Sequence, residues 1–217
     1  MAMLGLAFAA LGLALPPLID LSDAAALAPF KFSPTANWLV PGRVLLGRYP
    51  TSGRGSAEAR VAALREEALI DTFVCLQSEL PPQDSGAPNP SGFEPYAELA
   101  AASRPESPPQ FAYFGIDDMR PADSLEALAE ACHDLKSRVD AKEVLYIHCW
   151  GGRGRTGIVA ACLLGLLYEG MDAEEALDRV QAYFATRAPG NPSPETEPQR
   201  QQVRDFYYAG YNEARPG

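Results

Sequence analysis

In the stretch 144-VLYIHCWGGRGRTGIVAACLLG-165, Cys149 ends an apolar run and is followed after five residues by Arg155. Glycines at 151, 152 and 154 let successive backbone N–H groups converge on one point, and a helix opening near Arg155 would add its unpaired donors and positive dipole end. Such a cradle suits a tetrahedral oxyanion, and Arg155 brings a planar fork that grips two of its oxygens, a geometry lysine lacks. A thiol beneath it stands where N–H groups, helix end and guanidinium all favour thiolate over thiol. That is a nucleophile aimed at phosphorus. Thr156 is placed to donate a hydrogen bond to the sulfur and so to help it leave a phosphocysteine. His148 is read as ordering the loop through backbone hydrogen bonds, since a preformed thiolate needs no base.

These residues need a strand before the loop and a helix after it. The pattern supplies both: 143-EVLYIHC-149 reads as a strand, and residues 155 to 169 as a buried helix. Upstream, 38-WLVPGRVLLGRYP-50 reads as two short strands about a Pro-Gly turn, 56-SAEARVAALREEAL-69 as a helix capped by Ser56, and 70-IDTFVCLQSE-79 as containing a strand. The stretch 81-PPQDSGAPNPSG-92 is expected to be loop, residues 94 to 103 helical, 111-FAYFGI-116 a strand, and 124-SLEALAEACHDLKSRV-139 a helix for which Asp123 is a candidate cap. Helices are also expected at 172-DAEEALDRVQAYFATR-187, with an acidic first turn, and at 196-TEPQRQQVRDFYY-208, which opens with a T-x-x-Q capping pattern. Strands alternating with helices imply an α/β fold: a central, mostly parallel sheet flanked by helices on both faces. Ligands of such sheets sit at the carboxyl ends of the strands, where 117-DDMRPAD-123 and 149-CWGGRGR-155 both fall.

Composition narrows the partners. A net charge of -10 over 217 residues argues against nucleic acid and against anionic membrane as broad binding surfaces, so an anionic substrate needs a local positive site. Four scattered cysteines and two histidines, without C-x-x-C or H-x-x-x-H, indicate neither a disulfide scaffold nor a metal site, and no cofactor is expected. Residues 1 to 19 carry no charged side chain, but lack a basic start and are interrupted by Pro16-Pro17. A targeting segment cut after 26-ALA-28 and a lipid-facing helix are the alternatives to a packed or dispensable leader. The expected division is residues 1–30 as leader or extension and 31–217 as one domain, a monomer, with the cytoplasm as the default location.

The string 148-HCWGGRGRTG-157 resembles the H-C-x(5)-R-[ST]-G signature of the cysteine-based protein tyrosine and dual-specificity phosphatases. The resemblance implies Cys149 as nucleophile, Arg155 as phosphate-binding arginine, and Trp150, Gly151, Gly152, Arg153 and Gly154 as the phosphate cradle. The substrate is then a phosphorylated protein or another phosphate monoester. A general acid is also required. The stretch 116-IDDMRP-121 resembles the mobile acid loop of small dual-specificity phosphatases; spacing from Ile116 favours Asp118, and a four-residue spacing to Pro121 would select Asp117. Softer resemblance extends the match to roughly residues 37 to 208. Gln199 lies in a stretch similar to a late glutamine-bearing element that positions water, although a solvent-facing helix position is the simpler expectation. The alternatives are a non-catalytic phosphate-binding module, a phosphoinositide phosphatase and an RNA 5′-triphosphatase on the same chemistry.

Two cradle residues bear on substrate choice. Arg153 adds a second cation that would favour polyanionic substrates or would pair with a nearby acid, and Trp150 would shape the pocket floor or rim. Cys75, on the neighbouring strand, is a candidate partner for an oxidised Cys149, with a plain core role as the expectation for it and for Cys132 and Cys162. The run 206-FYY-208 reads as the docking face of the last helix.

Overall fold

The computed structural model describes residues 14–82 and 94–213. Residues 1–13 of the apolar leader and most of the loop expected at 81–92 lie outside the described residues.

Six strands form one sheet: β1 (Lys31–Ser33), β2 (Ala36–Val40), β3 (Val44–Gly47), β4 (Thr72–Gln77), β5 (Gln110–Ile116) and β6 (Leu145–His148), in the order β1-β2-β3-β6-β4-β5. The contacts β3–β6, β6–β4 and β4–β5 are parallel, and β1–β2 and β2–β3 are antiparallel, so β2 alone runs against the others. The expected mostly parallel α/β sheet is what forms. Short β1, ahead of the Pro-Gly hairpin, was not foreseen; three residues are too few to show a period-two pattern.

Beyond a short first helix, α1 (Ala24–Leu27), the helices are α2 (Ala57–Ala62), α3 (Ala97–Ser103), α4 (Leu125–Asp140), α5 (Gly154–Leu167), α6 (Ala173–Ala185) and α7 (Glu197–Tyr208). The caps follow local chemistry: Ser56 accepts from Ala59 N, Asp172 from Glu175 N, and Thr196 and Gln199 form the reciprocal capping box of α7. At α4 the cap is Ser124, which accepts from Ala127 N, and not Asp123, because Ser124 stands immediately before the first helical residue. The helix predicted over 56–69 changes character at its midpoint. A π turn over Ala63–Glu67 carries Arg65 into the interior, where its guanidinium donates to the carbonyls of Ala100, Ile70 and Ser107.

The two faces of the sheet bury separate cores. One is built by α4, α5, α6 and α7 around residues such as Leu128, Val159, Leu163, Val180 and Phe206; the other lies under α2 and α3, around Val61, Leu64, Phe73 and Tyr96. Helix α5 is buried along almost its whole length, which explains why its sequence is apolar all round. The described part of the amino terminus joins the larger core. Leu15, Leu18, Ile19 and Leu21 pack against it, Tyr168 Oη donates to the Pro16 carbonyl at 3.0 Å, Arg179 Nη1 donates to the Ile19 carbonyl at 3.0 Å, and Phe30 stacks on Tyr183. A cut after Ala28 would remove the first three of these attachments. No helix among the described residues is long and apolar enough to cross a membrane.

Candidate active site

Strand β6 lies between β3 and β4, and its parallel register with both puts the following residue, Cys149, at the centre of the carboxyl edge. The sulfur-bearing residue is 3% exposed. The chain then turns through residues 150–153 and enters α5 at Gly154, with no side chain capping that helix. Its first N–H groups are therefore left to face the loop.

The loop is held open from outside by its carbonyls. Tyr49 N donates to the Trp150 carbonyl at 3.1 Å, Arg187 Nη2 to that of Gly152 at 2.6 Å, and Ser193 Oγ to that of Arg153 at 2.9 Å. In a planar trans peptide the carbonyl and the next N–H point opposite ways. Bonding these carbonyls outward turns the N–H groups of Gly151, Arg153 and Gly154 inward, toward the space above Cys149. Gly152 makes the turn possible: its φ is +66°, and a Cβ there would stand 2.2 Å from the Gly47 carbonyl.

Arg155 is 1% exposed and gripped by a carboxylate that the sequence reading missed. Glu79 accepts from Nη1 at 2.6 Å and from Nη2 at 3.1 Å, the Ile116 carbonyl accepts from Nη1 at 3.1 Å, and Asp118 Oδ1 lies 2.9 Å from Nη2. Burial alone would raise the Glu79 carboxyl, but the Arg155 fork and local hydrogen bonds hold it below its ordinary range. Its one sequence signal was position: an acid just past the carboxyl end of β4, at the edge where the cradle lies.

The two candidate acids separate cleanly. Asp118 points to Arg155 and is 60% exposed, whereas Asp117 accepts a 2.5 Å hydrogen bond from Ser78 Oγ. Gln199 is fully buried, which corrects its expected solvent-facing place. Its Oε1 accepts from the Glu195 and Thr196 N–H groups, and its Nε2 donates to the Arg120 carbonyl at 3.1 Å, tying the acid loop to α7. Thr156 is buried, yet its hydroxyl meets no hydrogen-bond partner among the described residues, so the expected bond to the sulfur is not made. His148 is fully buried, with Nε2 2.8 Å from Tyr96 Oη; burial pushes it down to about 3, with a backbone hydrogen bond at Cys149 pulling the other way. It stays neutral.

Arg153, open to substrate selection or to an acid partner, pairs with Glu195 and donates to Asn191 Oδ1 at 3.0 Å, so its charge is already matched. Trp150 stands on the rim, 47% exposed. Cys75 pairs in register with His148, and burial pushes its thiol up to about 12, in keeping with a core role. Over the cradle opens a cavity of about 470 Å³ lined by Arg48, Asp118, Trp150, Arg153, Phe184 and Arg187 among others.

Comparison with known proteins agrees with this geometry. The Arabidopsis thaliana phosphatidylinositol 3,4,5-trisphosphate 3-phosphatase and protein-tyrosine-phosphatase PTEN1 is 34% identical over 80 residues, which make up 37% of this chain and 18% of that protein. Among solved structures, Tk-PTP in its active form superposes with a TM-score of 0.57 at 24% identity, covering 82% of this chain and 99% of its own. PTPMT1 in complex with PI(5)P gives 0.55 at 15% identity over 77% of this chain and 92% of its own. These likenesses establish the fold. Residues 33–203 match the profile described as Swiss Army Knife protein, DSP-PTPase phosphatase domain. With its cysteine at the foot of an outward-braced loop and its arginine across it, the chain belongs to that family of cysteine-based dual-specificity and protein tyrosine phosphatases.

Proposed function

We propose that this chain hydrolyses phosphate monoesters through a phosphocysteine intermediate, with phosphotyrosine of proteins as its first substrate class and phosphoserine and phosphothreonine behind it. The Cys149 sulfur attacks phosphorus in line, the bond from phosphorus to the leaving oxygen breaks, and Asp118 supplies that oxygen with a proton. Water then attacks the phosphocysteine, Asp118 takes the water's proton, the S–P bond breaks, and inorganic phosphate leaves. The inward N–H groups and Arg155 stabilise charge on the equatorial oxygens in both steps. The observation that carries this reading is the outward bonding of the Trp150, Gly152 and Arg153 carbonyls around a buried Cys149.

A second reading concerns the substrate. The cavity over the cradle is lined by Arg48 and Arg187 beside the loop residues Trp150, Gly151 and Arg153, which favours a substrate with more than one phosphate. PTEN1 is described as acting on both a phosphoinositide and phosphotyrosine, and supports either class. The test of the reaction itself is simple: purified protein turns over an aryl phosphate, and Cys149→Ser reduces the rate to background. The same rate in the purified variant would refute the assignment. Binding of phosphate by the parent protein without turnover would instead make it a phosphate-recognising module.

A further inference from the structure

Two arginines converge on the cradle from outside the signature loop, and neither has a carboxylate partner among the described residues. Arg48 follows Gly47, whose carbonyl is the group that Gly152 packs against, so the Arg48 backbone is fixed beside the cradle. Its amide donates to the Thr35 carbonyl and its carbonyl accepts from Tyr146 Oη at 2.7 Å. Its side chain lines the cavity, with a buried Nε that meets no acceptor among the described residues. Arg187 reaches the same loop from the end of α6: Nη2 donates to the Gly152 carbonyl at 2.6 Å, Nε donates to Asn37 Oδ1 at 2.7 Å, and the guanidinium lies 4.6 Å from the Phe184 ring centre. Its hydrogen-bond partners among the described residues are neutral. Burial, with a contribution from Arg48, lowers Arg187 to about 10, which still leaves it charged at neutral pH.

The remaining charges of the cavity are already matched, Arg153 by Glu195 and Asp118 by Arg155. In a protein of net charge -10, two neighbouring cations in one cavity that meet no carboxylate among the described residues favour an anion from outside. Arg155 and the inward N–H groups hold one phosphate. We propose that Arg48 and Arg187 form a second anion subsite, which takes another phosphate of the same small molecule, a polyol carrying at least two phosphates, free or as a lipid headgroup. This deepens, and rests on, the phosphatase reading of the site. The cavity of about 470 Å³ is walled partly by Pro34, Met119, Trp150 and Phe184, a size and lining that suit a ring-sized ligand.

The test reads binding, so that it stands apart from turnover. In the Cys149→Ser protein, calorimetry gives the dissociation constants of inositol hexakisphosphate, whose phosphates surround the ring, and of inorganic phosphate, which needs only the cradle. Arg48→Gln is expected to reduce the selectivity for hexakisphosphate over phosphate by about tenfold, one charge-assisted contact, while Arg48→Lys retains most of it. The buried Arg48 Nε meets no hydrogen-bond partner within the described residues, so its replacement leaves no acceptor there unpaired. Arg43→Gln, outside the cavity, controls for general attraction of a polyanion. Vesicles containing phosphatidylinositol 4,5-bisphosphate distinguish the sources: Arg48-dependent binding to vesicles that exceeds binding of the soluble ring identifies a lipid headgroup, and the reverse a free polyol. The proposal is overturned if Arg48→Gln leaves the selectivity unchanged, if Arg43→Gln lowers it equally, or if the Arg48 dependence is found only with a doubly phosphorylated peptide. Loss of aryl phosphatase activity in the parent protein would defeat the catalytic reading while leaving this binding result intact.

Discussion

Asp118 Oδ1 lies 2.9 Å from Arg155 Nη2, while its neighbour Asp117 is turned away to Ser78 Oγ. The separation is made by the backbone. Arg120 N donates to the Asp117 carbonyl in a tight turn, and Met119 adopts a φ of +63°, costly for a residue with a side chain. The far end of this loop is fastened to α7, where Gln199 bonds the Arg120 carbonyl and Gln202 bonds both the N–H and the carbonyl of Ala122. Two glutamines on one helix thus place Asp118 relative to the cradle. Asp118 and Glu79 both reach Arg155 Nη2, and of the two Asp118 is the more exposed.

Asp118→Asn should therefore lower kcat by about a hundredfold on an alkyl phosphate, whose leaving oxygen needs the proton, and by less on an activated aryl phosphate. Asp117→Asn should stay within about threefold on both, since an exposed polar contact is all it loses. Steady-state kinetics with paired leaving groups measures this, and an inverted pattern would transfer the role to Asp117.

Glu79 holds both terminal nitrogens of Arg155. A fork bound by both carboxylate oxygens has one orientation, and Gln keeps one acceptor while losing the charge. Glu79→Gln is expected to reduce kcat/KM by about tenfold, with inhibition by inorganic phosphate weakened in parallel, because both depend on the same aim of the guanidinium. Unchanged phosphate inhibition alongside a lowered melting temperature would reduce Glu79 to a structural ion pair.

How much of this was legible in the sequence follows from the range of the interactions. The caps of α2, α6 and α7 and the strand-loop-helix around Cys149 depend on neighbours a few residues apart, so composition and period revealed them. The preference for Asp118 over Asp117 rests on a resemblance and the spacing within it, and in the structure it is Asp118 that faces Arg155. Glu79 contacts a residue 76 positions away, Gln199 one 79 away and Arg187 one 150 away. Nothing in the local pattern distinguishes such residues from solvent-facing ones, because their partners are set by how strands β3, β6 and β4 come together. The glutamine of α7 was misjudged for this reason: its capping box is local, but its burial against Gly154 is not. Arg153 shows a residue open to either substrate contact or an acid partner, and its distant partner Glu195 takes it.

His148 couples the site to pH through stability. In the unfolded chain it protonates near 6.5; in the folded protein, buried against Tyr96 and flanked by Tyr49 and Tyr146 rings, it does so only near about 3. Between those values the unfolded state binds more protons, so this residue costs no stability above pH 6.5 and progressively more as pH falls toward 3. At pH 5 the loss amounts to about 2 kcal/mol, from the separation between pH and the unfolded value. Glu79, held below its usual 4.5, adds its own loss only at lower pH, which leaves the interval from pH 6.5 to 5 to report on the histidine. Denaturant unfolding across that interval should show a falling midpoint for the parent and a flatter one for His148→Gln, whose amide stays neutral and can still meet Tyr96. Equal slopes in the two proteins would mean that His148 reaches its proton from solvent in the folded state.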